Sequence, residues 1–138
     1  MLGRPDHGRI ARLVGVENLL RLKVISVHRQ DGVMLCGDGN VVLEVPLADA
    51  VMGEEVVVGI RADDIILAMD EPRFVSARNR LPGTVDLLEP RMTGYDVTLD
   101  CGMQLKCHIT RRALNELNVK LGKRMWAVVK ASSCLVLG

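Results

Sequence analysis

The feature that most constrains the fold of this 138-residue chain is an internal repeat. Asn18 aligns with Asn79 at an offset of 61 residues (79 − 18), and Arg61 aligns with Lys130 at an offset of 69 (130 − 61). The difference of eight residues predicts a longer connection, containing a helix, in the second copy. Two copies of one small unit therefore explain the sequence better than a single irregular domain.

Composition indicates what such units are built from. Hydrophobic residues make up 49% of the chain but aromatic residues only 2%, so the cores must consist of Val, Leu, Ile, Ala and Met. Copies of about 65 residues lie near the lower limit for independent folding, and we expect them to pack together or to dimerise.

Turn signals divide the first copy into strands. Asp31-Gly32 and the segment 37–40 are turn sequences on either side of a short apolar stretch, which predicts three short strands over residues 30–46. A further apolar run, 55–60, predicts another strand. The first copy is therefore expected to be nearly all β.

The second copy repeats this order of strands and adds a helix. Thr110 is a good N-cap for a short helix with one apolar face, and Gly122 ends that segment soon afterwards. The closing strands are predicted over 125–129 and 134–137, with the last strand returning to pair with the other copy. Earlier strands are predicted over 81–88, 95–99 and 104–109.

Charge and aromatic content argue against a nucleic-acid partner. The formal net charge is +1, which gives no field that would attract a DNA duplex. Phe74, Tyr95 and Trp126 stand far apart, so they offer no stacking platform for a single strand. We expect no nucleic-acid binding.

Catalytic and metal sites are not expected either. The four cysteines form no C-x-x-C pair, and they are interpreted as reduced core thiols. The three histidines are isolated from one another, which disfavours a metal site. No phosphate-binding loop and no nucleophile elbow is present. The chain is therefore not expected to be an enzyme, and it needs no covalent cofactor. The apolar runs are too short for a membrane span and there is no signal peptide, which predicts a cytoplasmic location.

Three segments of the second copy offer donors to an anion. Ser76-Ala77-Arg78-Asn79 supplies a hydroxyl and a guanidinium before one strand, and Lys130 supplies an ammonium after another. Thr110 adds a hydroxyl at the start of the helix. A tetrahedral oxyanion needs such compensation once water is removed from it. Each element also has an ordinary reading, as a turn residue, a solvated lysine or a helix cap.

The same three segments carry a family resemblance. Residues 76–85, 109–117 and 128–132 resemble the molybdate-binding Mop family, a branch of the TOBE domains. The resemblance implies an all-β fold of two tandem small OB-like barrels, with a short helix in the second. It also implies molybdate or tungstate bound between units. By motif position, the ligands would be Ser76, Ala77, Arg78, Thr110, Lys130 and Ala131.

Some positions depart from the family pattern. Ala113 stands where some members place a serine, which removes one donor. In the first copy the Ser-Ala-Arg-Asn segment is replaced by Val16-Glu17-Asn18, and Asp63-Asp64 follow Arg61. Carboxylates near an anion site would repel the ligand, so the first copy is interpreted as structural.

The N-terminal stretch adds a second resemblance. Residues 4–20 are similar to the junction that follows the nucleotide-binding domain in ABC importer ATPases. The chain as a whole thus resembles the C-terminal TOBE/Mop region of a bacterial molybdate importer's ATP-binding subunit. The implied organisation is a junction over 1–15, a degenerate barrel over 16–70 and a molybdate-binding barrel over 71–138.

These resemblances imply a regulatory role. Molybdate would bind between the barrels of two subunits and bias the parent ATPases towards a resting state, which dampens import. The implied partners are a second copy through the barrels, an ABC ATPase domain and the membrane permease, at the cytoplasmic face of the inner membrane. Three alternatives stay open: a ligand-free dimerisation module, a stand-alone molybdate-storage protein, and the sensor half of a transcription regulator.

Overall fold

The computed structural model describes residues 8, 9, 12 and 15–138. The junction predicted over 1–15 lies almost entirely outside these residues. Contacts divide the chain into two compact units. Unit 1 runs up to Arg61 and also includes Ala131–Gly138, and unit 2 is Ala62–Lys130.

Unit 1 is a curled five-stranded antiparallel sheet. Its strand order is β10-β4-β1-β2-β3. The long first strand pairs with β4 through its first half and with β2 through its second half. The strands are β1 (Asn18–His28), β2 (Val33–Gly37), β3 (Val42–Pro46), β4 (Glu55–Ile60) and β10 (Cys134–Val136).

Unit 2 repeats this arrangement and adds a helix. Its strand order is β5-β9-β6-β7-β8, and β6 again pairs with one neighbour through each half. The prediction of an all-β fold with two tandem OB-like barrels is confirmed. The elements are β5 (Ile66–Ala68), β6 (Asn79–Arg91), β7 (Gly94–Asp100), β8 (Gln104–Ile109), α1 (Arg111–Glu116) and β9 (Arg124–Val129).

The repeat extends to irregular details of the backbone. A β-bulge follows Val24 in β1 and Val85 in β6, and these two residues are 61 apart (85 − 24). The Gly53 N–H donates to the Val24 carbonyl at 2.8 Å, and the Gly122 N–H donates to the Val85 carbonyl at 2.9 Å. Because bulges bend and twist a strand, the shared bulge gives both long strands the same curl.

Each sheet is completed by a strand that is distant in sequence. Strand β5 follows β4 but pairs with β9, whereas β10 follows β9 but pairs with β4. The last strand thus returns to the first copy, as expected. The boundary predicted at residues 70 and 71 follows the linear order of the chain, whereas the compact units exchange these two strands.

The cores are aliphatic in both units. All four cysteines are buried and none forms a disulfide, and burial raises the pKa of the Cys107 thiol to about 12. The largest fully buried side chains are Leu22, Met34, Leu43, Val45, Val58 and Ile60 in unit 1, and Val85, Val97, Leu99, Leu105, Met125 and Val129 in unit 2.

The longer connection in the second copy contains α1, as the repeat predicts. Thr110 is its N-cap, and the Thr110 hydroxyl oxygen accepts a hydrogen bond from the Ala113 N–H at 3.1 Å. The helix ends at Glu116 with Leu117 as its C-cap, and Asn118 follows in the left-handed conformation. Gly122 lies in the following turn, which leads into β9.

Candidate oxyanion-binding site

The segment before β6 alternates between core and solvent. Ala77 and Asn79 are buried, with exposed fractions of 8% and 3%. Ser76 and Arg78 are exposed. Successive side chains of an extended chain point to opposite faces, so burial of Ala77 and Asn79 directs the Arg78 guanidinium outward. Ser76 lies in a bend just before this segment.

Register brings Lys130 to the same edge of unit 2. Asn79 pairs with Val129 in the antiparallel β6–β9 ladder. Arg78 and Lys130 are the next residues beyond this pair on the two strands, and both are exposed. Opposite Cα atoms in such a ladder are about 5 Å apart. The register therefore brings Arg78 and Lys130 to the same end of the β6–β9 ladder.

Thr110 lies at the other end of the unit 2 sheet. Its neighbour Ile109 pairs with Tyr95, and Tyr95 pairs with Pro90 near the end of β6. Pro90 is 11 residues beyond Asn79 (90 − 79), roughly 35 Å measured along the strand. The Thr110 hydroxyl is exposed and already serves as the helix cap. One unit 2 sheet therefore does not bring Thr110 beside Lys130.

Ala131, the last of the predicted ligands, falls in a different unit. It follows Lys130 directly and is partly exposed, but it begins the second stretch of unit 1. A 3-10 turn, Ala131–Ser133, leads from it into β10. Strand exchange thus separates Ala131 from the unit that holds the other five residues.

The equivalent edge of unit 1 has a different charge. Asn18 pairs with Ile60, and the next residues beyond this pair are Glu17 and Arg61. One carboxylate and one guanidinium thus replace the two cations of unit 2. Such an edge has no net positive charge, which agrees with the interpretation of the first copy as structural.

The position of the acidic pair Asp63-Asp64 differs from the interpretation of the sequence, which assigned the pair to the first copy. In the structure it lies in the turn Ala62–Asp64, which belongs to unit 2 and packs on β8. The reason is the strand exchange, because this turn precedes β5. Both carboxylates are exposed.

The structure contains a polar network on the outer face of unit 2 that was not predicted from the sequence. The His108 Nδ1 contacts the Asp96 Oδ1 at 2.9 Å, and its Nε2 lies 3.0 Å from the Thr93 Oγ1. The Arg91 Nε donates to the other Asp96 oxygen at 2.8 Å. The only sequence signal was that Asp96 and His108 alternate with buried neighbours on adjacent strands. Across the described residues, no group of three or more His, Cys, Asp or Glu side chains is placed to hold a metal ion.

The network predicts a pH dependence of stability. Partial burial raises the pKa of Asp96, but hydrogen bonds from His108 and Arg91 outweigh it and hold the pKa below the ordinary value of 3.8. A group with a lowered folded-state pKa stabilises the protein above its unfolded-state pKa, and this contribution is lost as the pH falls through the folded-state pKa. Asp96→Asn should therefore cost about 1 kcal/mol at pH 7 and progressively less below pH 3.8.

Urea denaturation between pH 3 and pH 7 would measure this effect. Asp86→Asn is the matched control, because Asp86 is exposed on the same sheet and accepts a hydrogen bond from Gln104 at 3.0 Å. A difference between wild type and Asp96→Asn that stays constant over the whole pH range would contradict the prediction.

Fold and site together define a class of protein. Two OB-like barrels, each built on a five-stranded antiparallel sheet, define a class of small all-β domain. Residues 75–136 match the model of the TOBE domain. This part of the chain belongs to the TOBE domain family, and the resemblance predicted from the sequence is confirmed.

Relatives whose matches cover most of this chain agree with this family. The chain is similar to the molybdenum import ATP-binding protein ModC of Rhodospirillum rubrum, with 32% identity over 98% of this chain and 38% of the relative. ModC of Mesorhizobium japonicum is 32% identical over 83% of this chain and 32% of its own length. The molybdate/tungstate import ATP-binding protein WtpC of Pyrococcus horikoshii is 31% identical over 96% and 36%. The chain thus spans about a third of the length of these curated relatives.

A solved structure shows the same fold. The cytoplasmic molybdate-binding protein ModG, crystallised with molybdate bound, superposes with a TM-score of 0.72 and 28% identity. The match covers 88% of this chain and 95% of ModG. Within the part of the chain that the structure describes, no helix is long and apolar enough to cross a membrane.

Proposed function

We propose that this chain binds molybdate or tungstate at the end of the β6–β9 ladder that carries Arg78 and Lys130, which we call the cationic edge of unit 2. The observation that supports the proposal is the Asn79–Val129 pair, because Arg78 and Lys130 are the next residues beyond it on the two strands. The names of the relatives support the ligand class, because they describe molybdate and tungstate import or molybdate binding.

The proposed chemistry is charge compensation. Molybdate is a dianion with four oxygens, and each oxygen that loses water must gain a donor. Arg78 and Lys130 supply two positive charges, and hydrogen bonds to ionised groups are stronger than neutral ones. The Ser76 hydroxyl and the backbone N–H group of Ala77 complete the donor set that unit 2 offers. At an exposed edge this attraction is screened by salt.

Thr110 enters the proposal through a second copy of the chain. Thr110 lies at the far end of the unit 2 sheet from Lys130. The Thr110 hydroxyl and the Lys130 ammonium therefore reach the same small ion only if the two residues come from different molecules. A homodimer that joins the two ends would complete the site. The proposed binding is therefore coupled to association.

The wider role concerns the parent protein. Since the chain spans about a third of its curated relatives, we propose that it is the regulatory region of an importer's ATP-binding subunit, at the cytoplasmic face of the inner membrane beside the permease. Bound molybdate would then favour a resting arrangement of the ATPase domains and dampen import. Differential affinity for the two arrangements is the physical requirement for such regulation.

Two other functions have specific observations in their favour. Ala113 offers no hydroxyl and the corresponding edge of unit 1 carries Glu17, which favours a ligand-free dimerisation module. The extensive match to ModG, at 95% of its length, favours a stand-alone storage protein with two barrels.

Titration calorimetry with molybdate, tungstate and sulfate tests these functions. Saturable binding of molybdate or tungstate in the micromolar range, with weaker sulfate binding, supports the proposal. Light scattering on the same samples should show association that increases with molybdate. The absence of binding at high micromolar concentrations would leave the dimerisation module as the function.

A further inference from the structure

The loop that leads into the candidate site is closed by a side-chain hydrogen bond. The Arg80 Nη1 donates to the Pro72 carbonyl at 3.0 Å, across eight residues of sequence. The loop between these two residues contains Ser76 and Arg78, and Arg80 itself is half-buried. The bond therefore fixes the N-terminal side of the ligand segment, while the β6–β9 ladder fixes its C-terminal side.

The backbone of this loop is strained at Phe74. Its φ is 59°, in the left-handed region, and its side chain is fully exposed at 102%. An aromatic residue in this region costs about 1 kcal/mol or more, and such a conformation persists only where the surroundings impose it. Phe74 itself gains no burial in return, so the strain must be offset by contacts elsewhere in the loop. The Arg80 hydrogen bond to Pro72 is one of these contacts.

The repeat supplies an internal comparison. At the offset of 61 residues, Leu19 in unit 1 corresponds to Arg80 (80 − 61). Leu19 is 39% exposed and has no donor for a carbonyl. Unit 1 also lacks the serine and the arginine of the ligand segment. The residue that closes the loop and the residues proposed as ligands thus occur together in unit 2 and are both replaced in unit 1.

We propose that Arg80 is a positioning residue for the oxyanion site, an inference that rests on the function proposed above. By holding Pro72, it keeps the 72–80 loop in the conformation that presents Ser76 and Arg78 at the edge beside Lys130. Each backbone residue that is ordered before binding saves about 1 kcal/mol or more of conformational free energy at the moment of binding. Arg80 acts through this preorganisation and not as a ligand.

Arg80→Met tests the proposal, because methionine keeps the apolar stem and removes the donor. We expect molybdate binding in calorimetry to weaken about fivefold. Arg73→Met is the matched control: it removes the same group from the same loop, where the exposed Arg73 forms an ion pair with Glu71 at 3.7 Å. Arg80→Lys retains a donor and should recover most of the affinity.

A charge effect on the anion would also distinguish Arg80→Met from Arg80→Lys, so a second measurement is made without ligand. Backbone NMR order parameters in residues 73–78 should fall below about 0.6 in Arg80→Met while staying higher in wild type and Arg73→Met. Unchanged order parameters would overturn the positioning role, whatever the binding data show. If wild type binds no oxyanion but the order parameters fall as expected, the proposed function fails while the role of Arg80 in ordering the loop stands.

Discussion

Lys130→Ala is expected to weaken molybdate binding about a hundredfold while unit 2 keeps its fold. Lys130 supplies one of the two cations at the edge, and hydrogen bonds to charged groups contribute about 1.5–3 kcal/mol each. Its side chain is exposed beyond the last pair of the β6–β9 ladder. Its loss should therefore leave the core intact.

Calorimetry with molybdate and thermal unfolding would be measured on the same preparations of this variant. Arg61→Ala is the matched control, because Arg61 occupies the repeat-related position in unit 1 and is likewise exposed. It should change the affinity less than threefold. An equal loss in both variants would indicate general electrostatic attraction, and wild-type affinity in Lys130→Ala would rule out the proposed site.

Gly94→Ala is expected to destabilise unit 2 by about 3 kcal/mol or more. Gly94 begins β7 with a φ of 146°, and a Cβ atom there would lie 2.1 Å from the Ile109 carbonyl oxygen. Backbone atoms of Ile109 cannot move away without breaking the β7–β8 ladder that ends at the Tyr95–Ile109 pair. The clash also reaches Thr110, whose Cα would be 3.0 Å away.

Denaturant unfolding followed by the fluorescence of Trp126 reports on this change, since Trp126 is the single tryptophan and lies in β9 of unit 2. Gly122→Ala is the control. Gly122 also has a positive φ, 84°, but no atom lies within 4 Å of a Cβ added there. It should cost only about 1 kcal/mol. Equal losses in the two variants would show that backbone strain, and not the clash at Ile109, determines the effect.

Local sequence signals predicted most of the elements. Turn sequences and alternation depend on neighbours in the chain, so the hairpin of β2 and β3 and the helix capped by Thr110 were predicted correctly. The difference between the two repeat offsets also predicted the longer connection that contains α1. These features depend on interactions between residues that are close in sequence, so a short segment of the sequence is enough to predict them.

The positions of the candidate ligands relative to one another were harder to predict from the sequence. The motif grouped Thr110 with Ser76 and Lys130, but the strand register separates Thr110 from them within one unit 2 sheet. The contact of His108 with Asp96 was not predicted, because the two residues are 12 positions apart and meet only across the β7–β8 ladder. Whether the grouped residues bind an oxyanion stays a prediction.

The sequence by itself identified Ser76, Arg78 and Lys130 as candidate donors to an anion, since they belong to motifs that can be read directly. It also determined that the chain folds as two related barrels. Only the tertiary structure decided that β5 pairs with β9 of the second copy, and that Arg80 closes the loop before Arg78. The physical reason is that equivalent strands of the two copies offer similar apolar faces and backbone donors, so pairing between distant segments depends on the whole packed sheet.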